Sequence, residues 1–132
     1  MSQNTTRLRR LLADEVEGCC ESDVSARIEE IEALNDAIPV DADHDVTALQ
    51  TLGDDTRYRI VRLLTGSDRE LCVCEFSPVL DISESAISHA LSDLTDAGLV
   101  TRRKEGKWRY YRPTERAERL VEALDATRGD GQ

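Results

Sequence analysis

The stretch ISHALSDLTDAGLVTRRKEGKWRYY, residues 87–111, predicts a helix followed directly by a β-hairpin. Ile87, Leu91 and Leu94 recur at the spacing of one helix face, which predicts that this face is buried. Ser83 is a suitable N-cap for the helix because its side chain can accept a hydrogen bond from the first turn. The opposite face is left with small polar side chains and one histidine.

The second half of this stretch has residues typical of strands on both sides of a turn. Gly98 ends the helix, and two runs rich in Val, Thr, Trp and Tyr flank Glu105 and Gly106, where the glycine can take a positive φ. Residues 100–112 contain one acidic residue and six basic ones, namely Arg102, Arg103, Lys104, Lys107, Arg109 and Arg112. This segment has a net charge of +5, whereas the whole chain has a net charge of −10.

Helical patterns surround the helix and hairpin on both sides. The other predicted elements are helices over residues 5–17 and 23–38, a short helix over 46–52, a helix capped by Asp54 or Asp55 and ended by Gly66, a short helix or helical turn over ELCVCEFSPVL (70–80), and a last helix capped by Thr114. Helix, short helix, turn, helix and basic hairpin in this order form a winged helix-turn-helix. The predicted fold class is therefore mainly α with a small β-hairpin wing (α+β).

Two parts of the chain are predicted to have different roles. Residues 1–44 are expected to form an N-terminal helical extension, and residues 45–128 a DNA-binding domain. The last helix has an apolar stripe, which predicts that it is buried against a second copy in a dimer.

Three motifs resemble the ArsR/SmtB family of metal-sensing repressors. LGDDTRYRIVRLL, ELCVCEF and ISHALSDLTDAGLVTRRKEGKWRYY occur in the family's order, and the resemblance covers residues 45–124. It implies a homodimeric repressor that binds double-stranded operator DNA and releases it when a metal or metalloid binds. It also implies that Cys72 and Cys74 belong to the sensing site. The family's other site uses histidine on the last helix, and residues 114–128 contain no histidine.

The cysteines predict the kind of ion that is sensed. Thiolates select soft ions such as As(III), Sb(III), Cd(II), Pb(II) and Zn(II) over hard ones. In one regular helix Cys72 and Cys74 would point about 200° apart, so they share an ion only if the helix start is irregular or distorts. Such a distortion would couple the site to the DNA-reading unit.

Two more cysteines extend the predicted site. Some branches of the family supply thiolates from an N-terminal arm, often from the other subunit, so the resemblance adds Cys19 and Cys20. Three thiolates suit pyramidal As(III) or Sb(III), and four suit tetrahedral Cd(II), Pb(II) or Zn(II). We expect As(III) or Sb(III) as inducer, with Cd(II), Pb(II) or Zn(II) as the alternative.

The predicted DNA contacts lie on the second helix of the helix-turn-helix and on the hairpin. Candidates on the helix are Ser85, Ser88, His89 and Ser92, and candidates for phosphate on the hairpin are Arg102, Arg103, Lys104, Lys107 and Arg109. His44 lies in an acidic loop, where we expect it to be solvated. Trp108 is expected to pack beneath the wing, and the sequence leaves open which of Tyr110 and Tyr111 joins the core.

The composition limits the class of protein. Among 132 residues, 27 are acidic and 17 basic, and only two are lysine, which favours a protein adapted to high salt. No apolar run approaches the roughly 18 residues of a membrane span. The N-terminus lacks the apolar stretch of a secretory signal. We therefore predict a cytoplasmic protein without a membrane partner, in which structural disulfides are rare.

Other functions remain as alternatives. No nucleophile–base pair, phosphate loop or organic-cofactor fingerprint occurs, so an enzyme is not predicted. Oxidation of vicinal thiols could release DNA without a metal, which makes a redox-responsive repressor the second hypothesis. A DNA-binding protein with a vestigial sensing site is the third.

Overall fold

A computed structural model describes residues 2–15 and 21–131. The chain divides into two compact units, residues 1–42 and 43–132. In chain order the elements are α1 (Ser2–Glu15), α2 (Glu21–Asp36), α3 (Ala42–Leu52), α4 (Asp55–Gly66), β1 (Leu71–Cys72), α5 (Val73–Leu80), α6 (Glu84–Asp96), β2 (Val100–Glu105), β3 (Trp108–Pro113), α7 (Glu115–Thr127) and a short 3-10 helix (Arg128–Gly131). The predicted mainly α fold with a small wing is confirmed. No helix in the described ranges is long and apolar enough to cross a membrane.

The N-terminal unit has little hydrophobic core of its own. Helices α1 and α2 contact each other, and Leu12 and Val24 are buried. Three later members of the apolar stripe predicted over residues 23–38 remain more than half exposed, namely Ile31, Leu34 and Ile38. Apolar spacing therefore predicted the helices correctly, but most of their apolar side chains are not covered by the described residues of the unit.

A single hydrophobic core holds the second unit together. The large side chains buried completely or nearly so come from α4, α5 and α6, from the residue before β2 and from the first residue of β2: Ile60, Val61, Leu64, Phe76, Ile87, Leu91, Leu94, Leu99 and Val100. Burying one such side chain stabilises the fold by about 1.5–3 kcal/mol. The predicted apolar face of α6 is confirmed, because every member of it is buried. The core fixes α6 with its polar face towards solvent.

Side-chain caps fix the starts of α4, α6 and α7. Asp54 accepts a hydrogen bond from the backbone N–H three residues further on at 3.1 Å, Ser83 does the same at 3.1 Å, and Thr114 at 3.2 Å. Each cap satisfies an N–H that has no partner within its helix. Ser83 and Thr114 were predicted as caps, and Asp54 was one of two residues predicted to cap α4. The caps set the positions at which α4, α6 and α7 begin.

The sheet has one strand more than the predicted hairpin. Strands β2 and β3 pair in antiparallel fashion around Gly106, whose φ is 62°, and β1 pairs with the other edge of β3. The register aligns Cys72 with Tyr110, and Tyr110 with Arg103. The segment ELCVC is thus extended at its start and helical only from Val73 onward. As a result, the first cysteine of the motif lies in the same sheet as the wing.

The aromatic residues of β3 have different environments. Tyr111 is buried in the core and Tyr110 is half-buried. Trp108 is 49% exposed, so the prediction that it packs beneath the wing is wrong. Trp108 pairs with Glu105 at the tip of the hairpin, and the Lys107 ammonium lies 5.5 Å from its ring centroid. The tip extends beyond the core and therefore has no apolar layer for the indole to cover.

We expect Asp81→Asn to raise the free energy of unfolding by about 0.5 kcal/mol, because Asp81 has left-handed backbone and a negative charge at a helix C-terminus. Its φ is 56° and its N–H donates to the Ser77 carbonyl at the end of α5. Asn adopts this conformation readily and removes the charge. The matched control is Asp43→Asn in the first turn of α3, which should lower the free energy of unfolding. Denaturant titrations that shift both variants in the same direction would contradict this explanation.

Candidate metal-binding thiols and nucleic-acid interface

Cys72 and Cys74 are brought together by the way α5 begins. Cys72 is the N-cap of α5, with extended backbone (φ −101°, ψ 157°), and Cys74 is the second residue of the helix. An N-cap side chain folds over the first turn, towards the second and third helical residues. The two Sγ atoms consequently lie 3.2 Å apart. The sequence analysis required either an irregular helix start or a distortion for the two cysteines to share an ion, and the structure has the irregular start. Both sulfurs can therefore bind one ion without a change in α5.

The separation of the sulfurs has a consequence for the ion. An ion about 2.3 Å from each sulfur would make an S–ion–S angle of about 90° at this separation. That angle is closer to the pyramidal geometry of a three-coordinate ion with a lone pair than to a tetrahedron. The sulfurs fit a soft ion as a bidentate pair, and small rotations of the side chains would widen the angle.

Among the described residues, the surroundings of the pair supply no third ligand. Glu75, the nearest carboxylate in sequence, accepts a hydrogen bond from the Cys72 N–H at 2.8 Å and pairs with the Arg69 guanidinium at 2.6 Å. The hydrogen bond from Arg69 lowers the pKa of Glu75. Within residues 2–15 and 21–131, no three His, Cys, Asp or Glu side chains form a group able to hold a metal ion. The predicted ligands Cys19 and Cys20 lie outside the described residues.

The two thiols are hydrogen-bonded to each other. Cys72 is buried and Cys74 is exposed. The hydrogen bond from the Cys74 thiol to the Cys72 sulfur is the main cause that raises the pKa of Cys74, followed by partial desolvation of the sulfur. At neutral pH this thiol is therefore protonated, and a metal cation must displace the proton in order to bind.

This proton predicts different pH dependences for the two classes of inducer. Cd(II) binding releases the Cys74 proton, so the affinity should rise about tenfold per pH unit and per proton as pH increases from about 6 to 8, below the raised pKa. Arsenite, As(OH)₃, loses a hydroxide that leaves as water with the thiol proton, so no net proton is released and its affinity should be nearly constant. Competition titrations of the reduced protein across this pH range measure both. A Cd(II) affinity that does not change with pH would mean that Cys74 is already a thiolate.

The exposed face of α6 forms one side of the candidate DNA interface. Ser85, Ser88, His89 and Ser92 are all exposed on it. Small hydroxyls and an imidazole at the surface of a recognition helix can donate to and accept from base edges and phosphates. The structure therefore leaves all four predicted residues accessible on one helix face.

The wing has two faces with different roles. The register puts Arg102, Lys104 and Arg109 on the same face of the sheet as the buried Tyr111. Arg102 and Arg109 line a cleft of about 230 Å³, whose other side includes Ser88 and Ser92. Neither arginine is within salt-bridge distance of an acidic group in the part of the chain described. Together the cleft and α6 form a surface with hydroxyls and the Asp96 carboxylate on one side and two guanidinium groups without a salt bridge to any described residue on the other.

Arg103 points to the opposite face of the wing. Its guanidinium contacts Glu70 at 2.8 Å and Glu105 at 3.1 Å, and it lies 4.9 Å from the Tyr110 ring centroid. The hydrogen bond from Arg103 holds the pKa of Glu70 below its usual range. Arg103 is therefore engaged by carboxylates, unlike the other arginines that were predicted to bind phosphate.

Sequence reasoning missed Glu70. It immediately precedes β1 and lies two residues before Cys72, so strand alternation puts both side chains on one face. That alternation was the available signal, but it depends on recognising residues 71 and 72 as extended rather than helical.

Comparisons with known proteins bear on both parts of the site. The sequence profile described as "Bacterial regulatory protein, arsR family" matches residues 54–102. A protein of Halobacterium salinarum named "Putative arsenical resistance operon repressor ArsR" is 52% identical over 126 residues, which are 95% of this chain and 98% of that protein.

Two solved structures have a similar fold. The first, described as "Possible transcriptional regulator for arsenical resistance", is 40% identical with a TM-score of 0.51, over 61% of this chain and 81% of that one. The second is a homodimeric winged helix-turn-helix DNA-binding domain from Mycobacterium bovis. It is 26% identical with a TM-score of 0.61, over 67% of this chain and 82% of that one.

Proposed function

The chain belongs to the ArsR family of regulatory proteins, and we propose that it is a homodimeric, cytoplasmic transcriptional repressor released from its operator by a thiophilic ion. The proposed ion is As(III) or Sb(III), bound by Cys72 and Cys74. The names of its relatives favour arsenic: those of the Halobacterium salinarum protein and of one solved structure both refer to arsenical resistance.

One observation carries this proposal: two sulfurs 3.2 Å apart lie at the junction of the wing and the helix-turn-helix. Cys72 belongs to β1, which is hydrogen-bonded to wing strand β3. Cys74 belongs to α5, which contacts α6 directly. An ion that moves either sulfur therefore acts on an element that contacts a DNA-binding part.

The helix that bears Cys74 is short and weakly bonded. It has eight residues and contains Pro78 in its interior. Proline has no N–H, so the Cys74 carbonyl lacks the donor that an unbroken helix would provide four residues later. A segment with few internal hydrogen bonds is remodelled at low cost when an ion draws in further ligands. The start of α5 is thus a suitable two-state element for coupling ion and operator.

The remaining ligands are proposed to be Cys19 and Cys20. Because the described residues near the pair offer no third donor group, additional thiolates must come from another part of the chain or from a second subunit. One further thiolate gives the three-sulfur set of As(III) or Sb(III), and two give a set suited to Cd(II), Pb(II) or Zn(II). The cadmium-type ions are therefore the second candidates.

The DNA contacts proposed for this chain follow from the same geometry. Ser85, Ser88, His89 and Ser92 on α6 are proposed to meet base edges and phosphates. Arg102, Lys104, Lys107 and Arg109 are proposed to meet phosphates. Residues 45–128 would carry these contacts, with α7 at the dimer interface and residues 1–44 as the extension that brings the N-terminal thiols.

The test is a titration of the reduced protein on the DNA directly upstream of its own coding sequence, at constant high salt. Arsenite, antimonite, Cd(II), Pb(II), Zn(II) and hydrogen peroxide are added separately, with Mg(II) as the control for a hard divalent ion. We expect arsenite to weaken operator binding by about 5- to 150-fold, the usual range of allosteric coupling. Thiolate absorbance gives the stoichiometry in the same samples.

Three other results would revise the proposal. Release by Cd(II) but not arsenite would assign the site to the second class of ion. Release by peroxide alone would favour the redox hypothesis, in which the peroxide takes two electrons from the Cys72–Cys74 pair to give a disulfide and two waters. Unchanged operator affinity with every reagent would leave a DNA-binding protein without a sensing role.

A further inference from the structure

Cys72, Tyr110 and Arg103 lie in one row across the three-stranded sheet. The register aligns Cys72 with Tyr110 and Tyr110 with Arg103. Residues directly opposite each other in antiparallel strands project from the same face, with Cβ atoms about 4.5–5.5 Å apart. The Arg103 guanidinium lies over the Tyr110 ring at 4.9 Å. A continuous line of side chains therefore leads from the first sulfur to an arginine of the wing.

Glu70, two residues before Cys72, forms an ion pair with Arg103 at the other end of this row. Oε1 of Glu70 accepts from Nε of Arg103 at 3.0 Å and from a terminal nitrogen at 2.8 Å. The Glu70 side chain is only 20% exposed, and Arg112 on β3 lies 3.9 Å from its second oxygen. Two N–H groups of the guanidinium donate to this carboxylate, and such charge-assisted hydrogen bonds are stronger than neutral ones. Glu70 thus ties the segment that bears Cys72 to strand β2 of the wing.

The wing's other arginines provide a contrast. Arg102 and Arg109 line the cleft beside α6 and have no carboxylate partner among the residues described. Arg103 has two such partners and faces away from that cleft. Charge that is already neutralised contributes little to phosphate binding. Arg103 is therefore better suited to fix the position of the wing than to bind phosphates of the DNA.

We propose that Glu70 and Arg103 are positioning residues that transmit occupancy of the Cys72–Cys74 pair to the wing, an inference that rests on the proposed function. An ion that draws Cys72 towards additional thiolates displaces β1 along or away from β3. Glu70 is two residues earlier on the same face of the strand, so it moves with Cys72. This movement weakens its ion pair with Arg103. The wing then loses the support that aims Arg102 and Arg109 at the phosphates.

The experiment compares wild type with Glu70→Gln, Arg103→Lys and the double variant. Operator affinity is measured with and without arsenite, and arsenite affinity is measured without DNA. Asp125→Asn is the matched control, because it removes ion pairs of similar length (2.8 Å to Arg62 and 2.8 Å to Arg128) that do not involve the wing. Salt dependence of operator binding is recorded for each protein.

We expect each single variant to bind arsenite within about threefold of wild type and to lose most of the response, with operator affinity changing less than about threefold on arsenite addition. The double variant should lose no more than either single one, since both act through one contact. Asp125→Asn should respond as wild type does. These measurements separate two roles of the contact. If the contact only stabilised the fold, its loss would lower the melting temperature and leave the response to arsenite unchanged.

Two outcomes overturn the inference. Glu70→Gln could bind the operator more tightly, with a steeper salt dependence and an unchanged response to arsenite. In that case Glu70 only keeps Arg103 from binding phosphate. If both single variants respond normally to arsenite, the contact is structural. Failure of the wild type to respond to any soft ion would instead reject the proposed function, so the two failures are distinguishable.

Discussion

Replacing Cys72 or Cys74 with serine is expected to give a protein that binds its operator as wild type does and stays bound when arsenite is added. Serine is similar in size, and its hydroxyl is a hard donor that does not replace a thiolate for a soft ion. At position 72 serine is also a favourable N-cap, so the start of α5 should be kept. Arsenite should weaken operator binding of the wild type by about 5- to 150-fold and should leave the operator affinity of either variant unchanged.

Gel-shift or fluorescence titrations of both variants, with and without arsenite, measure this effect. Val73→Ala is the matched control, because it alters the residue between the cysteines and keeps both sulfurs; it should still release DNA. Unfolding without any ion should differ from wild type by less than about 1 kcal/mol for the serine variants. A normal response of either variant to every soft ion would put the sensing site elsewhere.

Local rules were sufficient for much of this fold. The spacing of Ile87, Leu91 and Leu94 predicted the buried face of α6, and Ser83 and Thr114 were predicted as caps that the structure contains. These features depend on residues within one or two turns of each other, so a single sequence specifies them. The same holds for the turn at Gly106, which has the positive φ that glycine favours.

Features that depend on distant pairing could not be predicted in this way. The extended conformation of Cys72 follows from its pairing with Tyr110, a residue 38 positions later that no local pattern connects with it. The contact between Glu70 and Arg103 spans 33 residues and follows from the same pairing. Once β1 is known, alternation puts Glu70 and Cys72 on one face. Recognition of a two-residue strand was therefore the missing step.

The extended conformation of Cys72 also decides between the irregular start and the distortion that the sequence left open. If both cysteines were helical, an ion would have to distort α5 merely to reach both sulfurs. With Sγ atoms 3.2 Å apart, the pair is ready for an ion, and the conformational change must come from recruiting additional ligands. The proposal that Cys19 and Cys20 supply these ligands therefore follows from the geometry at residues 72–74.

The second large effect is expected from the double variant Arg102→Ala/Arg109→Ala, which should weaken operator binding by at least about 100-fold near 0.15 M salt. Both guanidinium groups line the cleft beside α6 without a carboxylate partner among the described residues, so their charge is available for phosphates. A dimer would lose four such contacts. The slope of log affinity against log salt should therefore decrease by about 3 to 4.

Arg119→Ala is the matched control for this loss of charge, because Arg119 is 74% exposed on α7 and pairs only with Glu122 among the residues described. Its effect on affinity should be under about threefold, and its salt slope should equal that of wild type. Affinities of all proteins are measured over one series of KCl concentrations, extended low enough for the double variant to bind. At those salt concentrations arsenite should weaken binding by less than the wild-type factor, because the double variant lacks the two arginines that the Glu70–Arg103 contact is proposed to aim at the phosphates. A wild-type salt slope in the double variant would mean that this face of the wing does not contact the DNA backbone.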